Sequence, residues 1–130
     1  MSSINLSLEA LQKLAETILI RCNTCPENAR QVAAVLVAAE ADGQKGHGAS
    51  RIPSYSAQAD SGKVDGFATP EIINKTASAL TIDAKNGFAY PALNLAFEEI
   101  SALAAETGIA AAAITRSHHA GVAGLSLIHI

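Results

Sequence analysis

Apolar residues recur at helical spacing through the first part of the chain, in two segments that a short polar stretch separates. The first segment predicts a helix over about residues 7–22, with Ser7 as its N-cap. The second begins at Pro26, which suits a first helical turn, and runs to about Asp42, where Gly43 ends it. Two helices joined by so short a connection predict an antiparallel helical hairpin.

A short third helix is predicted after the hairpin, because Pro53 again suits the first turn of a helix. Ile52, Tyr55 and Ala59 are the side chains that we expect this helix to turn toward the core. The helix is expected to close at Ser61-Gly62-Lys63, and the residues that follow have the composition of a loop.

The second half of the chain alternates strand and helix patterns. Residues 72–77 and 79–83 predict short strands, and Asn86-Gly87 predicts a turn. A strong amphipathic pattern predicts a helix over about residues 88–107, and the continuous apolar run 109–114 predicts a buried strand. These elements together predict a mixed α/β fold, in which a helical hairpin is followed by strands and helices.

The composition limits the partners and the cellular location that are compatible with this fold. Hydrophobic residues make up 49% of the 130 residues, but many are alanine and only 4% of residues are aromatic. Alanine buries little surface, so the core is expected to need more chain or a partner. The net charge of −3 argues against a nucleic-acid partner. No apolar run reaches the roughly 18 residues of a membrane span, and no signal peptide is visible, so a cytoplasmic location is expected.

Residues 43–51 carry the first candidate chemistry, because they combine three glycines with His47 and Arg51. An imidazole exchanges protons near neutral pH, and a guanidinium can grip a carboxylate through two parallel hydrogen bonds. If the third helix starts near Gly48, both side chains lie at its N-terminus, where the backbone dipole favours an anion. The alternatives are a structural histidine and an ordinary surface ion pair for the arginine.

A second candidate group surrounds His118 and His119. Adjacent histidines on a strand point to opposite faces, so they rarely share a metal, and one of them turned into a cleft beside Gly121 is favoured. Arg116 and Ser117 are expected to add polar contacts there. A solvated turn is the alternative. With the first group, these residues suggest a site where a small carboxylate exchanges a proton.

Other polar groups receive structural interpretations. Cys22 and Cys25 form a C-x-x-C pair, but a helical pattern precedes it and no second ligand pair follows at suitable spacing. Two small apolar side chains at a turn between helices are therefore favoured over a redox or metal site. Asp83 and the Glu98-Glu99 pair are interpreted as surface charges.

Two motifs resemble the malate/L-lactate dehydrogenase family of the second type. Residues 39–55 are similar to its signature Ala-Asp-x-x-Gly-x-x-Ser-His-Gly-x-x-Arg-x-Pro-x-Tyr. Residues 116–124 are similar to its loop Asn-Ser-x-His-Phe-Gly-x-Ala-Gly. Gly46 stands where the family has the serine, and Ala120 where it has the aromatic residue. The resemblance covers about residues 5–124.

The resemblance implies a non-Rossmann NAD(P)-dependent oxidoreductase that transfers a hydride between the cofactor and a small 2-hydroxy or 2-oxo acid. His47 or His119 would exchange the proton of the substrate oxygen, and Arg51 would bind the substrate carboxylate. Family members are longer and usually homodimers, so residues 1–124 are interpreted as the N-terminal part of a truncated enzyme. The other implied contacts, with NAD or NADP, come from Ser117, His118 and Gly121.

The last six residues, 125–130, resemble the translation of a sequencing-library adaptor, so the natural reading frame is expected to be lost after Gly124. His129 is therefore given no role. Two other interpretations stay open: a small helical interaction domain whose histidines are structural, and a metal-binding module. The latter would use the imidazoles of His47, His118 and His119, with Cys22 or Cys25 as a further ligand.

Overall fold

The computed structural model describes residues 2–121, which form four α-helices, two short 3₁₀ turns and a three-stranded sheet. The helices are α1 (Leu8–Arg21), α2 (Pro26–Ala41), α3 (Ile52–Asp60) and α4 (Ala89–Thr107). The strands are β1 (Glu71–Lys75), β2 (Ala79–Asp83) and β3 (Ala111–Thr115). The mixed α/β class is confirmed, whereas the proposed boundary after Gly124 and the tail 125–130 lie outside the described residues.

The helical hairpin begins and ends where local signals place it. The Ser7 hydroxyl accepts a hydrogen bond from the Ala10 N–H at 3.1 Å, and Pro26 is the first residue of α2. The buried Asn28 amide donates to the carbonyls of Gly66 and Ala68, both at 2.9 Å. The hairpin therefore holds the loop that follows α3, in addition to packing against α3 itself.

The C-x-x-C pair flanks the turn between α1 and α2. Cys22 caps the end of α1 and Cys25 precedes α2, and both thiols are free and partly exposed. Within residues 2–121, no three histidine, cysteine or acidic side chains converge in a way that could hold a metal ion. The pair therefore has the position expected of a turn between helices.

Two apolar clusters make up the core. The first joins the three N-terminal helices to the start of α4, and it includes the inward-facing residues predicted for α3: Ile52, Tyr55 and Ala59. The second lies between α4 and the sheet, and it includes Leu80, Ile82, Ala92, Ala96 and Leu103. The loops that carry the candidate chemistry lie beside the first cluster, since Ala49 and Ala120 both pack against it.

The sheet has the order β1-β2-β3, with β2 antiparallel to β1 and parallel to β3. The predicted burial of residues 109–114 is wrong, because β3 alternates exposed and half-buried residues and Ile109 before it is 77% exposed. Within residues 2–121, β3 pairs only with β2 and turns only one face toward α4. No helix of the described part combines the length and apolar character needed to cross a bilayer.

Candidate functional site

The loop between α2 and α3 is built from two 3₁₀ turns, Lys45–His47 and Ala49–Arg51. The prediction that Pro53 lies in the first turn of α3 is confirmed, because α3 begins at Ile52, and the helix therefore does not extend back to Gly48. Gly48 separates the two turns with backbone angles of φ −99° and ψ −133°, which lie outside the helical region. The two candidate side chains of this loop therefore lie in successive turns rather than on the first turn of a helix.

Hydrogen bonds within this loop hold both turns in place. The Glu40 carboxylate at the end of α2 accepts the Ala49 N–H at 2.9 Å. The Arg51 Nε donates to the Gly46 carbonyl at 2.6 Å, which joins the second turn to the first. Gly48 lies so close to Glu40 that a Cβ at this position would collide with the carboxylate. Glu40 is therefore a positioning residue, and its role was not predicted from the sequence.

The loop after β3 is held at its beginning by an ion pair. Arg116 has a left-handed backbone (φ +50°), and its guanidinium makes two hydrogen bonds to the Asp83 carboxylate. Its carbonyl accepts the Asn86 N–H at 2.8 Å, and the His118 N–H donates to the Gly87 carbonyl at 3.1 Å. The guanidinium thus binds Asp83 and anchors the loop to the turn that precedes α4.

The interpretation of Asp83 as a surface charge is wrong, because only 14% of its side chain is exposed. The Arg116 guanidinium, followed by the Lys85 N–H, lowers the pKa of Asp83 to about 2. Glu98 is exposed, as expected. Glu99 is partly exposed and pairs with Lys75 at 2.6 Å.

Asp83→Asn is expected to lower Tm by a few degrees at pH 7 and to weaken the acid dependence of stability. The pKa of Asp83 is lower in the folded state than in the unfolded one, so its contribution is present above about pH 4 and is lost toward pH 2. Thermal melts between pH 2 and pH 7 measure this window, with the exposed Glu98→Gln as the matched control. Equal acid sensitivity of parent and Asp83→Asn would contradict the role.

The two histidine-containing loops meet in the folded chain. The half-buried His47 ring lies so close to Gly121 that a Cβ there would approach its Cγ and Cε1 to 3.2 Å and its Nδ1 more closely still. Such contact requires glycine at position 121, since any side chain would displace the imidazole. Tertiary packing thus joins segments that lie more than seventy positions apart in sequence.

The other two histidines differ in their surroundings. His118 is half-buried, with its ring edge-on to Tyr55 and Phe88 at centroid distances of 4.9 and 5.7 Å. Its Nε2 lies 2.9 Å from the Gln58 Oε1. Burial, followed by the nearby His119 and Lys63, lowers the pKa of His118. His119 is exposed, and its ring centroid lies 6.4 Å from that of His118.

A cavity of about 530 Å³ opens between α3 and the loop after β3. A second cavity of about 250 Å³ shares three of its lining residues, Lys63, Ser117 and His118. The larger cavity falls in the range typical of small-molecule sites, and its wall combines cations with imidazoles. The residues of that wall that bear on its chemistry are Arg51, Lys63, Ser117, His118 and His119.

Tyr55 and Gln58 complete this wall from α3, and sequence reasoning gave neither a role in the site. They lie three residues apart on one helix face, and both contact His118. Burial, followed by the neighbouring Tyr90, raises the pKa of Tyr55, so the phenol stays protonated at neutral pH. The sequence offered two signals, the i,i+3 spacing of the two residues and the place of Tyr55 at the end of the family signature.

A family model described as malate/L-lactate dehydrogenase matches residues 6–128. The (2R)-3-sulfolactate dehydrogenase (NADP(+)) of Chromohalobacter salexigens is 41% identical over 121 residues, which are 92% of this chain and 35% of that protein. A Δ(1)-pyrroline-2-carboxylate/Δ(1)-piperideine-2-carboxylate reductase of Pseudomonas putida is 41% identical over 109 residues, 84% of this chain and 32% of that protein.

Solved structures agree with these sequence relatives. The Δ1-piperideine-2-carboxylate reductase of Pseudomonas syringae pv. tomato superposes with a TM-score of 0.85 at 38% identity, over 90% of this chain and 35% of that one. The malate dehydrogenase of Pyrococcus horikoshii OT3 superposes with a TM-score of 0.86 at 25% identity, over 97% of this chain and 36% of that one. The chain thus spans about a third of the length of the relatives it matches, and it belongs to the malate/L-lactate dehydrogenase family.

Proposed function

We propose that this chain is the N-terminal part of an NAD(P)-dependent dehydrogenase that interconverts small 2-hydroxy and 2-oxo acids. The observation that carries the proposal is the convergence of a cation and two imidazoles, Arg51, His118 and His119, on one cavity. Membership of the family supports this class of reaction. Because the chain spans about a third of its relatives, the activity is proposed for a longer protein.

Arg51 is the proposed ligand of the substrate carboxylate. Its Nε donates to the Gly46 carbonyl, and among residues 2–121 the guanidinium has no acidic partner. The two terminal nitrogens are therefore available for a bidentate pair with a carboxylate in the cavity. Lys63 on the same wall adds positive charge and favours an anionic substrate.

His119 and His47 are the proposed groups for proton exchange at the substrate oxygen. His119 is exposed on the wall of the larger cavity, where a bound acid can reach its ring nitrogens. His47 is half-buried against Gly121, on the same loop as His119, and it is not among the residues that line that cavity. Turnover of the His119→Ala and His47→Ala variants distinguishes which of the two is the main acid or base.

The described residues fit one end of a cofactor site. The two cavities share Lys63, Ser117 and His118, so the loop that begins at Ser117 borders both spaces. When bound, NAD(P)H supplies the hydride. The proposed cofactor contacts on this chain are Ser117, His118 and Gly121, with NAD and NADP both open. The relative from Chromohalobacter salexigens is named for NADP(+).

Reduction of a cyclic imino acid is a second candidate for the same site. Several relatives are named as Δ(1)-pyrroline-2-carboxylate reductases, including one from Pseudomonas putida at 41% identity. A 2-imino acid presents the same carboxylate next to a C=N bond in place of C=O. The same arginine can therefore hold either substrate, and either reduction adds one hydride and one proton.

The exposed apolar surface supports a larger assembly. Phe97 on α4 is 55% exposed, and Ile109 before β3 is 77% exposed. Phenylalanine and isoleucine are more often buried, so their exposure is compatible with further chain or a partner subunit over them. We propose that the full-length protein is a cytoplasmic homodimer. Size-exclusion chromatography with light scattering would measure its oligomeric state.

The proposal is tested on the full-length protein, whose gene is first read past the codon for Gly124. Oxidation of NADH and of NADPH is measured with pyruvate, oxaloacetate, sulfopyruvate and Δ(1)-pyrroline-2-carboxylate. Saturable oxidation with one of the 2-oxo acids is the expected result, and oxidation with the imine alone favours the second candidate. No cofactor oxidation with any of these substrates would contradict the dehydrogenase hypothesis. In that case tight zinc binding would favour the metal-binding module, and its absence the helical interaction domain.

A further inference from the structure

The ring of His118 is held by its own chain on several sides. Tyr55 and Phe88 both meet it edge-on, with interplanar angles of 80° and 89°. Gln58 bonds to its Nε2 at 2.9 Å. Its Nδ1 is buried, and it has no hydrogen-bond partner among the described residues. The imidazole is thus packed against aromatic rings and bonded to a single amide.

These contacts determine the protonation state of the ring. An amide oxygen can only accept a hydrogen bond, so the proton of the neutral imidazole lies on Nε2 and is donated to Gln58. The neighbours on every packed element are Tyr55 and Gln58 of α3, Lys63 after it, Phe88 before α4 and His119 on the loop. None of these neighbours is a carboxylate that could stabilise an imidazolium. Burial lowers the pKa of His118, and His119 and Lys63 act in the same direction.

The backbone of the same residue ties the loop to the rest of the fold. The His118 N–H donates to the Gly87 carbonyl at 3.1 Å, and the Ser117 hydroxyl donates to the His118 carbonyl at 2.9 Å. Ala120 stands where the family pattern has an aromatic residue, so an aromatic anchor at that position is absent from this loop. His118 therefore joins the loop to α3 through its ring and to the start of α4 through its backbone.

We propose that His118 is a positioning residue, whose neutral, Nε2-protonated ring docks on Gln58 and thereby holds His119 at the wall of the cavity. The inference rests on the proposed function of His119 in proton exchange. It also refines the predicted cofactor role of His118, because the ring nitrogens are engaged or buried within the protein. The His118 ring influences His119 only by holding the loop that carries both residues, and Gln58 is the residue to which the ring is bonded.

The first test is a double-mutant cycle of Gln58→Leu and His118→Phe in the full-length protein. Gln58→Leu leaves the Nε2–H without an acceptor, so we expect Tm to fall by about 3–6 °C and kcat by about tenfold. The double variant replaces both polar partners with apolar groups, so most of the Tm loss and part of the kcat loss should be recovered. The Kd of NADPH, from fluorescence quenching, should stay within about twofold in Gln58→Leu, because that variant removes no proposed cofactor contact.

Gln58→Glu is the second test, because a carboxylate would pair with the imidazolium and raise the pKa of His118. The new charge beside His119 should shift the acid limb of the pH profile of kcat, whereas Gln58→Leu should lower kcat without moving that limb. A surface glutamine on α2, Gln31, gives the matched control Gln31→Glu. If the acid limb of Gln58→Glu does not shift, the proposed link between the His118 ring and proton exchange by His119 is contradicted.

Strictly additive Tm losses in the cycle would overturn the Gln58–His118 anchor. NADPH binding weakened more than about tenfold by His118→Phe, with kcat unchanged, would show a cofactor ligand instead. An inactive parent protein would overturn the proposed function, but the Tm cycle would still support or overturn the anchor, since it requires no turnover. The two failures are therefore distinguishable.

Discussion

His119→Ala in the full-length protein is expected to lose about 100- to 10,000-fold of turnover, because general acid–base catalysis contributes on that order. The imidazole is exposed on the cavity wall, so its removal takes away a group that a bound acid can reach without disturbing a buried core. NAD(P)H should bind nearly as tightly as to the parent. Steady-state kinetics together with fluorescence titration of the cofactor would measure both quantities.

The matched variant is His47→Ala, which separates the two candidate groups. The His47 ring is half-buried against Gly121, so its loss should lower Tm as well as turnover. The histidine whose removal also abolishes the pH dependence of kcat is the main acid or base. Near-normal turnover in His119→Ala, with a large loss in His47→Ala, would assign the proton exchange to His47 and contradict the role given to His119.

Arg51→Lys is expected to raise the KM for the carboxylate substrate by about 10- to 100-fold, which corresponds to loss of a bidentate charge-assisted pair. Lysine keeps the charge but has no planar fork of donors. It also cannot reproduce the Nε hydrogen bond to the Gly46 carbonyl. Initial rates at varied substrate and saturating cofactor would show the change, and the KM for the cofactor should be nearly unchanged.

The control for this substitution is Arg30→Lys on α2. Arg30 pairs with Glu27 at the surface and lies outside the cavity, so its replacement should leave the kinetics unaltered. An Arg51→Lys variant with unchanged KM and reduced kcat would contradict carboxylate binding. That result would instead indicate that Arg51 acts by holding the loop that carries His47.

The ends of the helices were predictable because they depend on neighbouring residues. Ser7 caps α1 through its own hydroxyl, and Gly43 and Gly108 follow their helices with left-handed backbone at φ +77° and +85°. The start of α3 was predictable from Pro53, which lies in its first turn. The two turns before it were not, because they are held in part by the hydrogen bond from the Ala49 N–H to the Glu40 carboxylate. That bond spans nine positions and leaves no periodic signal.

The β3 strand shows a second limit of the local pattern. An alanine-rich apolar run is compatible with burial on two faces or on one, because alanine is small enough for either. In the fold, β3 pairs with β2 and packs one face on α4, so alternate residues remain exposed. The identity of the strand was in the sequence, but its place in the sheet depended on which elements surround it.

The candidate site was likewise predictable only in part. Residue type alone singled out Arg51 and the histidines, because few side chains exchange protons near neutral pH or bind a carboxylate with two hydrogen bonds. The sequence could not pair Asp83 with Arg116 or Gln58 with His118, since these partners lie 33 and 60 positions apart. Such pairs form only when packing brings their elements together.

By itself, the sequence determined the order and approximate ends of the helices and strands, through caps, glycines, prolines and apolar periodicity. It also determined which side chains have the chemistry for proton exchange and for carboxylate binding. Only the tertiary structure decided that the His47 loop meets Gly121, that His118 is half-buried while His119 is exposed, and that Asp83 holds Arg116. The physical reason is that burial and pairing depend on distances between remote segments, which local conformational preferences do not specify.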